Sequence, residues 1–289
     1  MSFSIISDSC SNLTNKQIAE YGVKIVPLTY TIKGEEHLGY VEGEEFDFKA
    51  YYDMLRAKEH VKTSLVSYER VETALKTELD AGKDVLYISF SSALSGSCQV
   101  ARNCIEDIKY SYPDRKIILV DTLQASMGQG LFVKYACDMR NAGSSLEETA
   151  KWLEDNKLKF TALFTVDDLF FLKRGGRLSG TVAVVGTILN IKPLLHVDDE
   201  GKLVSTGTIR GRQKSIDALI KRMGETGTDL KKQDIFIVHG DCLEEAEAAA
   251  AKIKQLYKVK SVTINYVDQV ISSHSGPGTL AVFYLGTQR

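Results

Sequence analysis

A loop rich in hydroxyl groups is the part of the chain whose residue types most clearly suggest chemistry. It runs from Ser91 to Ser97 and contains four serines and one glycine, without a lysine or arginine. The apolar segment Leu86–Phe90 before it predicts a buried strand, and the spacing of apolar residues after it predicts a helix starting near Ser97. A loop at a helix N-terminus offers free N–H groups, to which serine hydroxyls add donors. This pattern predicts an anion site.

The absence of cations in the loop bears on which anion it would bind. Phosphates are usually neutralised by basic groups as well as by backbone dipoles, so a carboxylate is the better match. Ser92, Ser95 and Gly96 are the candidate residues of the loop, and Thr63 with Ser64 forms a second hydroxyl pair ahead of a predicted helix. The alternative is that these hydroxyls only cap helices and turns.

Two further segments carry groups that could bind or protonate an anion. Leu172–Arg177 places three cations around two glycines, which predicts a loop that directs Arg177 inward; a solvated basic turn is the alternative. His274–Gly278 predicts a tight turn before the last strand. A histidine held there could donate to a carboxylate or transfer a proton, whereas many histidines are purely structural.

The first half of the chain predicts the elements that position these groups. Strands alternate with helices from Phe3 to Gly143, which indicates a mainly parallel sheet with ligands beyond the carboxyl ends of its strands. Val23–Thr31 is predicted as one strand and Lys33–Glu45 as an acidic surface loop. Four polar segments are expected to meet at the ligand edge: Ser7–Ser9, Thr63–Ser64, Ser91–Ser97 and Asp121–Thr122.

The second half predicts a different architecture. A boundary in the polar segment Asp155–Lys159 gives an α/β domain at 1–157 and an α+β domain at 158–289, with the ligand between them. The last two strands, Val262–Val267 and Thr279–Leu285, are read as consecutive, without a helix between them. Consecutive strands of this kind indicate a mixed or antiparallel sheet.

Composition excludes several classes of protein. The 289 residues carry a net charge of −2, which gives no general attraction to nucleic acid or an anionic membrane. Five scattered cysteines without a CxxC pair favour reduced thiols in a cytoplasmic protein and no metal site. No signal peptide is evident, and the apolar segment Val182–Leu195 is too short and polar to span a bilayer.

Several common catalytic and cofactor motifs are missing. The sequence has no GxGxxG after a strand, no GxxxxGK[ST] and no HExxH, and Ser95 does not stand in GxSxG. Nucleotide-binding and hydrolase functions therefore lose their strongest sequence support, and no cofactor is expected.

Taken together, these segments resemble the motifs of the DegV family of bacterial fatty-acid-binding proteins over almost the whole chain. The similar segments are Ser7–Ser9, Thr63–Ser64, Ser91–Ser97, Asp121, Asp167–Leu169 with Leu172–Arg177, and His274–Gly278. The chain departs from the family pattern at Leu65–Val66, where Gln-Pro is usual, and at Cys98 and Thr122.

The resemblance implies a lipid carrier, not an enzyme. It would bury one long acyl chain, such as palmitate, stearate or oleate, with the carboxylate between two domains. Thr63 and Ser95 match the positions that hydrogen-bond the carboxylate, with Ser64, Ser92 and Gly96 beside them. Arg177 and His274 match the supporting polar network. A separate fatty acid kinase would supply ATP and phosphorylate the bound acid.

Two other functions stay open at this point. One is a serine-dependent acyl hydrolase that uses Ser95 with His274 or His239 and an aspartate such as Asp121. The other is a regulatory or DNA-binding module, which the net charge and the lack of a helix-turn-helix pattern do not support.

Overall fold

The computed structural model describes residues 3–179 and 190–289, which form three sheets and ten helices. The strands are β1 (Ser4–Asp8), β2 (Lys24–Val26), β3 (Thr29–Ile32), β4 (Glu35–Leu38), β5 (Val61–Ser64), β6 (Val85–Ser89), β7 (Ile117–Asp121), β8 (Phe160–Thr165), β9 (Ile191–Val197), β10 (Leu203–Arg210), β11 (Asp234–His239), β12 (Ser261–Tyr266) and β13 (Leu280–Leu285). The helices are α1 (Asn15–Tyr21), α2 (Phe48–Arg56), α3 (Tyr68–Asp80), α4 (Ser97–Ile108), α5 (Met127–Asn141), α6 (Leu146–Asn156), α7 (Leu169–Arg174), α8 (Arg212–Thr226), α9 (Leu243–Tyr257) and α10 (Gln269–Ser275).

The first sheet is parallel, as predicted, with the order β2-β1-β6-β7. Hydrogen bonds from backbone amides to aspartate side chains connect the carboxyl ends of its strands. Asp8 Oδ2 at the end of β1 accepts a hydrogen bond of 3.0 Å from the Phe90 N–H after β6. Asp121 Oδ1 at the end of β7 accepts one of 3.2 Å from the Ser92 N–H. Three of the four predicted loops therefore meet at this edge.

The second sheet is mixed, also as predicted, with the order β10-β9-β8-β13-β11-β12. Only β11 and β12 are parallel in it. The expectation that the last two strands follow each other without a helix was wrong, since α10 connects β12 to β13. The two strands are not neighbours in the sheet either. The last strand, β13, inserts between β8 and β11.

Helix α5 lies between the two large sheets and joins their cores. Its Phe132 is fully buried and stacks on Phe160 of β8 with ring centroids 3.8 Å apart. Ala281 and Phe283 of β13 belong to this same core. The alternate residues of β13, which include Val282, pack instead with α8 and α9 in a second core. Period-two alternation on a central strand thus separates the two faces of the sheet.

A small antiparallel sheet, β4-β3-β5, and helix α2 form a third cluster. Its Tyr51 hydroxyl donates to the Gln269 carbonyl at 2.7 Å, which ties α2 to α10. Two predictions fail here. Val23–Thr31 is not one strand, because β2 and β3 belong to different sheets with Pro27, which has no N–H to donate, between them. Lys33–Glu45 is not only a loop, because β4 pairs with β3 within it.

Side chains cap the N-termini of several helices. Capping boxes open α1 with Thr14 and Gln17, and α6 with Ser145 and Glu148. Ser67 stands at the N-cap of α3 but makes no side-chain hydrogen bond there.

The basic and histidine-containing segments differ from their predictions. Leu172–Arg177 is not wholly a loop, because α7 extends to Arg174. His274–Gly278 is not one tight turn, because His274 lies in the last turn of α10. Strand β9 occupies the end of the apolar segment Val182–Leu195, whose residues 182–189 lie outside the described residues.

The predicted domain boundary falls between α6 and β8. The parallel sheet and the small antiparallel sheet consist of β1 to β7, which all lie before residue 122. The mixed sheet consists of strands after residue 159. The division at 157 and 158 stays a prediction. No helix within residues 3–179 and 190–289 is long and apolar enough to cross a membrane.

Candidate ligand-binding site

A cavity of about 110 Å³ lies between the loop Ser91–Ser97, called the serine loop below, α10 and the core-facing side of the mixed sheet. Its polar residues include the partly exposed Thr63, Ser95, Arg177 and His274 and the exposed Ser64. Most of the remaining wall is apolar and buried. That wall includes Leu28, Phe90, Leu94, Ala162, Phe164, Leu172, Val197, Leu203, Val238, Val267, Val270, Ala281 and Phe283.

Thr63 and His274 form the first polar pair of this site. Thr63 stands near the end of β5, and α10 brings His274 opposite it, so that Thr63 Oγ1 and His274 Nε2 lie 2.9 Å apart. Gly175 lies on the other side of the ring, where a Cβ would fall 2.3 Å from His274 Nδ1. The absence of a side chain at Gly175 therefore leaves room for the imidazole.

The imidazole of His274 is uncharged at neutral pH. Burial is the main reason that its pKa is lowered to about 4, and the positive charges of Arg177 and Arg174 lower it further. A neutral ring has one donor and one acceptor nitrogen. His274 thus orients the Thr63 hydroxyl without adding a second full charge next to Arg177.

Ser95 is held in place by the loop before α4. Its amide donates to the Ser91 carbonyl at 3.1 Å, and its Oγ lies 3.0 Å from Ser97 Oγ. Ser97 Oγ in turn accepts a hydrogen bond of 3.2 Å from the Val66 N–H. This last contact connects the serine loop to the segment that follows β5, so the fourth predicted loop also reaches the site.

Arg177 supplies the positive charge that the serine loop lacks. Its Nε donates to the Leu94 carbonyl at 3.3 Å, and one terminal nitrogen donates to the Gly175 carbonyl. These bonds hold the guanidinium between the end of α7 and the serine loop. The predicted inward orientation of Arg177 agrees with this placement.

The structure brings together five of the seven predicted site residues around the cavity. Ser64 is an exposed lining residue, whereas Ser92 and Gly96 are exposed and are not part of the lining. The Ser92 amide donates to Asp121, and Gly96 is the N-cap residue of α4. Contacts of all seven residues with a ligand remain predictions.

Sequence reasoning did not find the wall of the cavity. Alternation along β8, β11 and β13 indicates that each strand has a core face, but a side chain that lines a cavity has the same residue type as one in solid core. Cys10 and Ser126 also line the cavity and carried no sequence signal. Ser275 lines it too and lies in the predicted segment His274–Gly278, but was not named as a site residue.

The residues of the alternative hydrolase are not arranged as a catalytic triad in the described part of the chain. Ser95 contacts Ser97, His274 contacts Thr63, and Asp121 Oδ1 accepts amide hydrogens from Ser92 and Leu123. His239 Nδ1 accepts from the Cys242 N–H at 3.3 Å. A hydrolytic serine needs its base within hydrogen-bonding reach. Within the same residues, no group of three or more His, Cys, Asp or Glu side chains could hold a metal ion.

A family model described as "Uncharacterised protein, DegV family" matches residues 2–287. The chain belongs to the DegV family. A DegV domain-containing protein of Clostridium perfringens is 40% identical over 284 residues, which cover 98% of this chain and 97% of the relative.

Solved structures of other DegV proteins have the same fold. A DegV lipid-binding protein from Thermotoga maritima superposes with a TM-score of 0.86 at 27% identity and covers 100% of both chains. A DegV family protein from Thermus thermophilus, described by its fatty acid binding, superposes with a TM-score of 0.85 at 29% identity. That match covers 99% of this chain and 100% of the other.

Proposed function

We propose that this DegV protein is a non-catalytic carrier that binds one long-chain fatty acid. The carboxylate would bind at Thr63 and Ser95, and the acyl chain would occupy the apolar cavity, between the two domains at 1–157 and 158–289. The observation that carries the proposal is that Thr63, Ser95 and Arg177 line the same cavity as apolar residues of the mixed sheet.

The polar group suits a carboxylate. Thr63 and Ser95 offer hydroxyl donors, Arg177 offers a cation, and neutral His274 fixes the Thr63 hydroxyl. A hydrogen bond to a charged group contributes about 1.5–3 kcal/mol, and a carboxylate buried without donors would be strongly unfavourable. The polar group would therefore decide which end of the lipid enters.

The acyl chain would supply most of the affinity. Burying roughly 14 methylenes at about 0.8 kcal/mol each gives on the order of 11 kcal/mol before the entropic costs of binding. The side chains that would contact it belong to strands of the mixed sheet and to α10, including Phe164, Phe283 and Val270. The lipid-binding and fatty-acid-binding relatives support this assignment, because they have the same fold.

A separate fatty acid kinase is the proposed partner. In that reaction a carboxylate oxygen attacks the γ-phosphorus of ATP, the bond to ADP breaks, and an acyl phosphate forms. The exposed Ser64 and Leu65, which line the cavity, would then face the kinase, together with Phe170, which is 54% exposed. Localisation in the cytoplasm, where ATP is available, is part of the same proposal.

Native mass spectrometry with lipid extraction tests the proposal. We expect the purified protein to carry or take up one fatty acid, and the Thr63→Ala/Ser95→Ala variant to lose at least about 100-fold in affinity, as expected for two lost charged hydrogen bonds. Thr73→Ala is the matched control, since Thr73 is exposed on α3 and bonds only its own helix at the Glu69 carbonyl. A protein that stays empty with added fatty acid would refute the function.

The hydrolase alternative has its own test. A fluorophosphonate reacts with a serine that an adjacent base activates, and we expect Ser95 to stay unlabelled. Labelling that disappears in Ser95→Ala would favour the enzyme over the carrier.

A further inference from the structure

The turn between β9 and β10 contacts the serine loop although it is distant in sequence. Gly201 in this turn is buried, and its carbonyl accepts a hydrogen bond of 2.9 Å from Ser91 Oγ. The turn is closed by Asp198, whose carbonyl accepts the Gly201 amide at 3.0 Å. The tip of a hairpin is usually solvated, so its burial against another loop indicates a specific contact.

Ser91 connects this turn to Ser95. Ser91 is fully buried, and its amide donates to the Gln124 carbonyl at 2.9 Å. Its own carbonyl accepts the amides of Leu94 and Ser95, each at 3.1 Å. Ser91 therefore links Gly201 to Ser95 by two hydrogen bonds. Its hydroxyl donates to the Gly201 carbonyl, and its carbonyl accepts the Ser95 amide.

The same hairpin also fixes the segment that carries Arg177. The Ser179 amide donates to the Leu203 carbonyl at 2.9 Å, and Leu178 forms a bridge with Leu203. Leu203 and Val197, at the base of the hairpin, line the cavity. One hairpin thus forms part of the apolar wall and contacts both the serine loop and the segment that carries Arg177.

Arg289 reinforces the contact from the side. Its guanidinium donates to the Asp198 carbonyl at 2.8 Å and to the Leu123 carbonyl at 3.0 Å. It also donates to the Thr122 and Lys157 carbonyls, at 3.1 Å and 2.9 Å. The turn is consequently bonded to the loop after β7 as well as to the serine loop.

We propose that the turn around Gly201 is a positioning latch that sets the distance between Ser95 and Arg177 and holds the hairpin wall of the cavity closed. The proposal rests on the function proposed above. Gly201 acts through Ser91 and Leu203 and is a positioning residue.

Glycine is required at this place for two reasons. Gly201 has φ of +80°, which side chains rarely adopt. A Cβ there would also fall 2.5 Å from Ser91 Oγ and 2.9 Å from Leu123 Cβ. Gly34, in the turn between β3 and β4, has a similar φ of +87° but open space around it. Gly34→Ala therefore reproduces the backbone strain without the collision.

The test compares Gly201→Ala with Gly34→Ala in two measurements on the full chain. Hydrogen exchange of ligand-free protein reports on residues 91–97, and stopped-flow release of cis-parinaric acid reports on the site. We expect Gly201→Ala to accelerate both by at least about fivefold, the effect of about one lost hydrogen bond. Gly34→Ala should change neither. Ser91→Ala should act in the same direction, and the two effects should be less than additive, because both variants break the contact between Ser91 Oγ and Gly201. Ser91→Ala also removes the hydrogen bond of 3.3 Å from the Ala93 N–H to Ser91 Oγ, so its effect should be at least as large.

The outcomes separate the two proposals. Equal exchange and equal release in Gly201→Ala and Gly34→Ala would overturn the latch. If Gly201→Ala does not fold, Ser91→Ala alone decides, and unchanged exchange and release there would also overturn it. A wild-type protein that binds no cis-parinaric acid or other fatty acid would refute the carrier function, while the exchange comparison would still decide whether the turn holds the serine loop.

Discussion

His274 shows how one side chain can organise a polar site without carrying charge. Its ring contacts Thr63 on one side and faces Gly175 on the other, and burial keeps it neutral. An anion in the cavity would therefore meet one guanidinium, that of Arg177, and oriented hydroxyl groups. This arrangement suits a single negative charge better than a phosphate.

The lowered pKa of His274 predicts a pH dependence of stability. The pKa is about 4 in the folded chain and about 6.5 in the unfolded chain, so the unfolded chain binds more protons between these values. Stability is full above pH 6.5 and falls as the pH is lowered toward 4. Relative to His274→Gln, the wild type should lose on the order of 2 kcal/mol of unfolding free energy in this window.

Urea unfolding of both proteins at a series of pH values measures that difference. His239 titrates in the same window, because burial also lowers its pKa to about 4, so His239→Gln serves as the comparison. A constant difference between wild type and His274→Gln from pH 7 to pH 4 would contradict the neutral buried imidazole.

Gly175 gives a second prediction at this scale. Gly175→Ala would place a methyl group 2.3 Å from His274 Nδ1, although its φ of −72° accepts an alanine. We expect fatty acid affinity to fall about tenfold or more as the ring leaves Thr63, with the fold intact. Gly176→Ala is the control, because Gly176 has a φ of +68° and open space. Titration with a fluorescent fatty acid measures both; equal affinities would contradict the prediction.

The polar residues could be identified from sequence because they stand in short motifs. Thr63, Ser95, Arg177 and His274 all line one cavity. The pattern of loops after strands predicted that Thr63 and Ser95 lie at one edge, whereas the resemblance to the DegV family implied that Arg177 and His274 join them. Gly175 was recognised only as a flexible residue. Its role depends on α10, which approaches it from about 100 positions later in the chain, and no local pattern contains that information.

At the scale of the element, α10 decides where His274 lies. Asp268 caps it, with Oδ1 accepting the amides of Val270 and Ile271 at 2.7 Å and 2.9 Å. The helix has only seven residues and is followed directly by Gly276 and Pro277. These turn-forming residues dominate the local sequence pattern and hide the signal of the cap. The helix was therefore predicted as a turn.

The cap predicts different effects for two substitutions. Asp268→Ala loses both hydrogen bonds and should lower the unfolding free energy by about 1–2 kcal/mol, whereas Asp268→Asn keeps an acceptor oxygen. Burial raises the pKa of Asp268 to about 7, so its acid form is the favoured one in the fold. The stability of wild type relative to Asp268→Asn should then be highest below about pH 4 and be lost as the pH rises through 7.

Chemical denaturation of the three proteins at pH 4, 6 and 8 checks this sign. Wild type gaining stability over Asp268→Asn as the pH rises would contradict the raised pKa. Equal stability of Asp268→Ala and Asp268→Asn would show that the cap contributes nothing.

At the scale of the whole molecule, α5 joins both large sheets into one core. Phe132 is fully buried between them and stacks on Phe160, close to the single tryptophan, Trp152. Phe132→Ala should therefore destabilise the entire chain by about 3–5 kcal/mol. Tryptophan fluorescence and circular dichroism should report one coincident unfolding transition.

Phe46→Ala is the matched control, since Phe46 is 38% exposed, and we expect it to have a small effect. Two separate transitions in the wild type would contradict a shared core. So would a Phe132→Ala variant that changes only one of the two signals.

Strand order was the least predictable property of the whole molecule. The alternation of strands and helices identified the parallel sheet, because crossovers of this length permit few arrangements. The mixed sheet was predicted only in class. Where β13 inserts depends on pairings with β8 and β11, which are about 120 and 45 positions away, and local sequence does not encode such partners.

The central position of β13 has a consequence for the order of folding. Ala281 and Phe283 form part of the cavity wall, and β13 pairs with β8 on one side and with β11 on the other. The cavity wall is therefore incomplete until β13 has docked between these two strands. During refolding from denaturant, uptake of cis-parinaric acid by the proposed carrier should then follow formation of the mixed sheet, and uptake that precedes the circular dichroism signal would contradict this order.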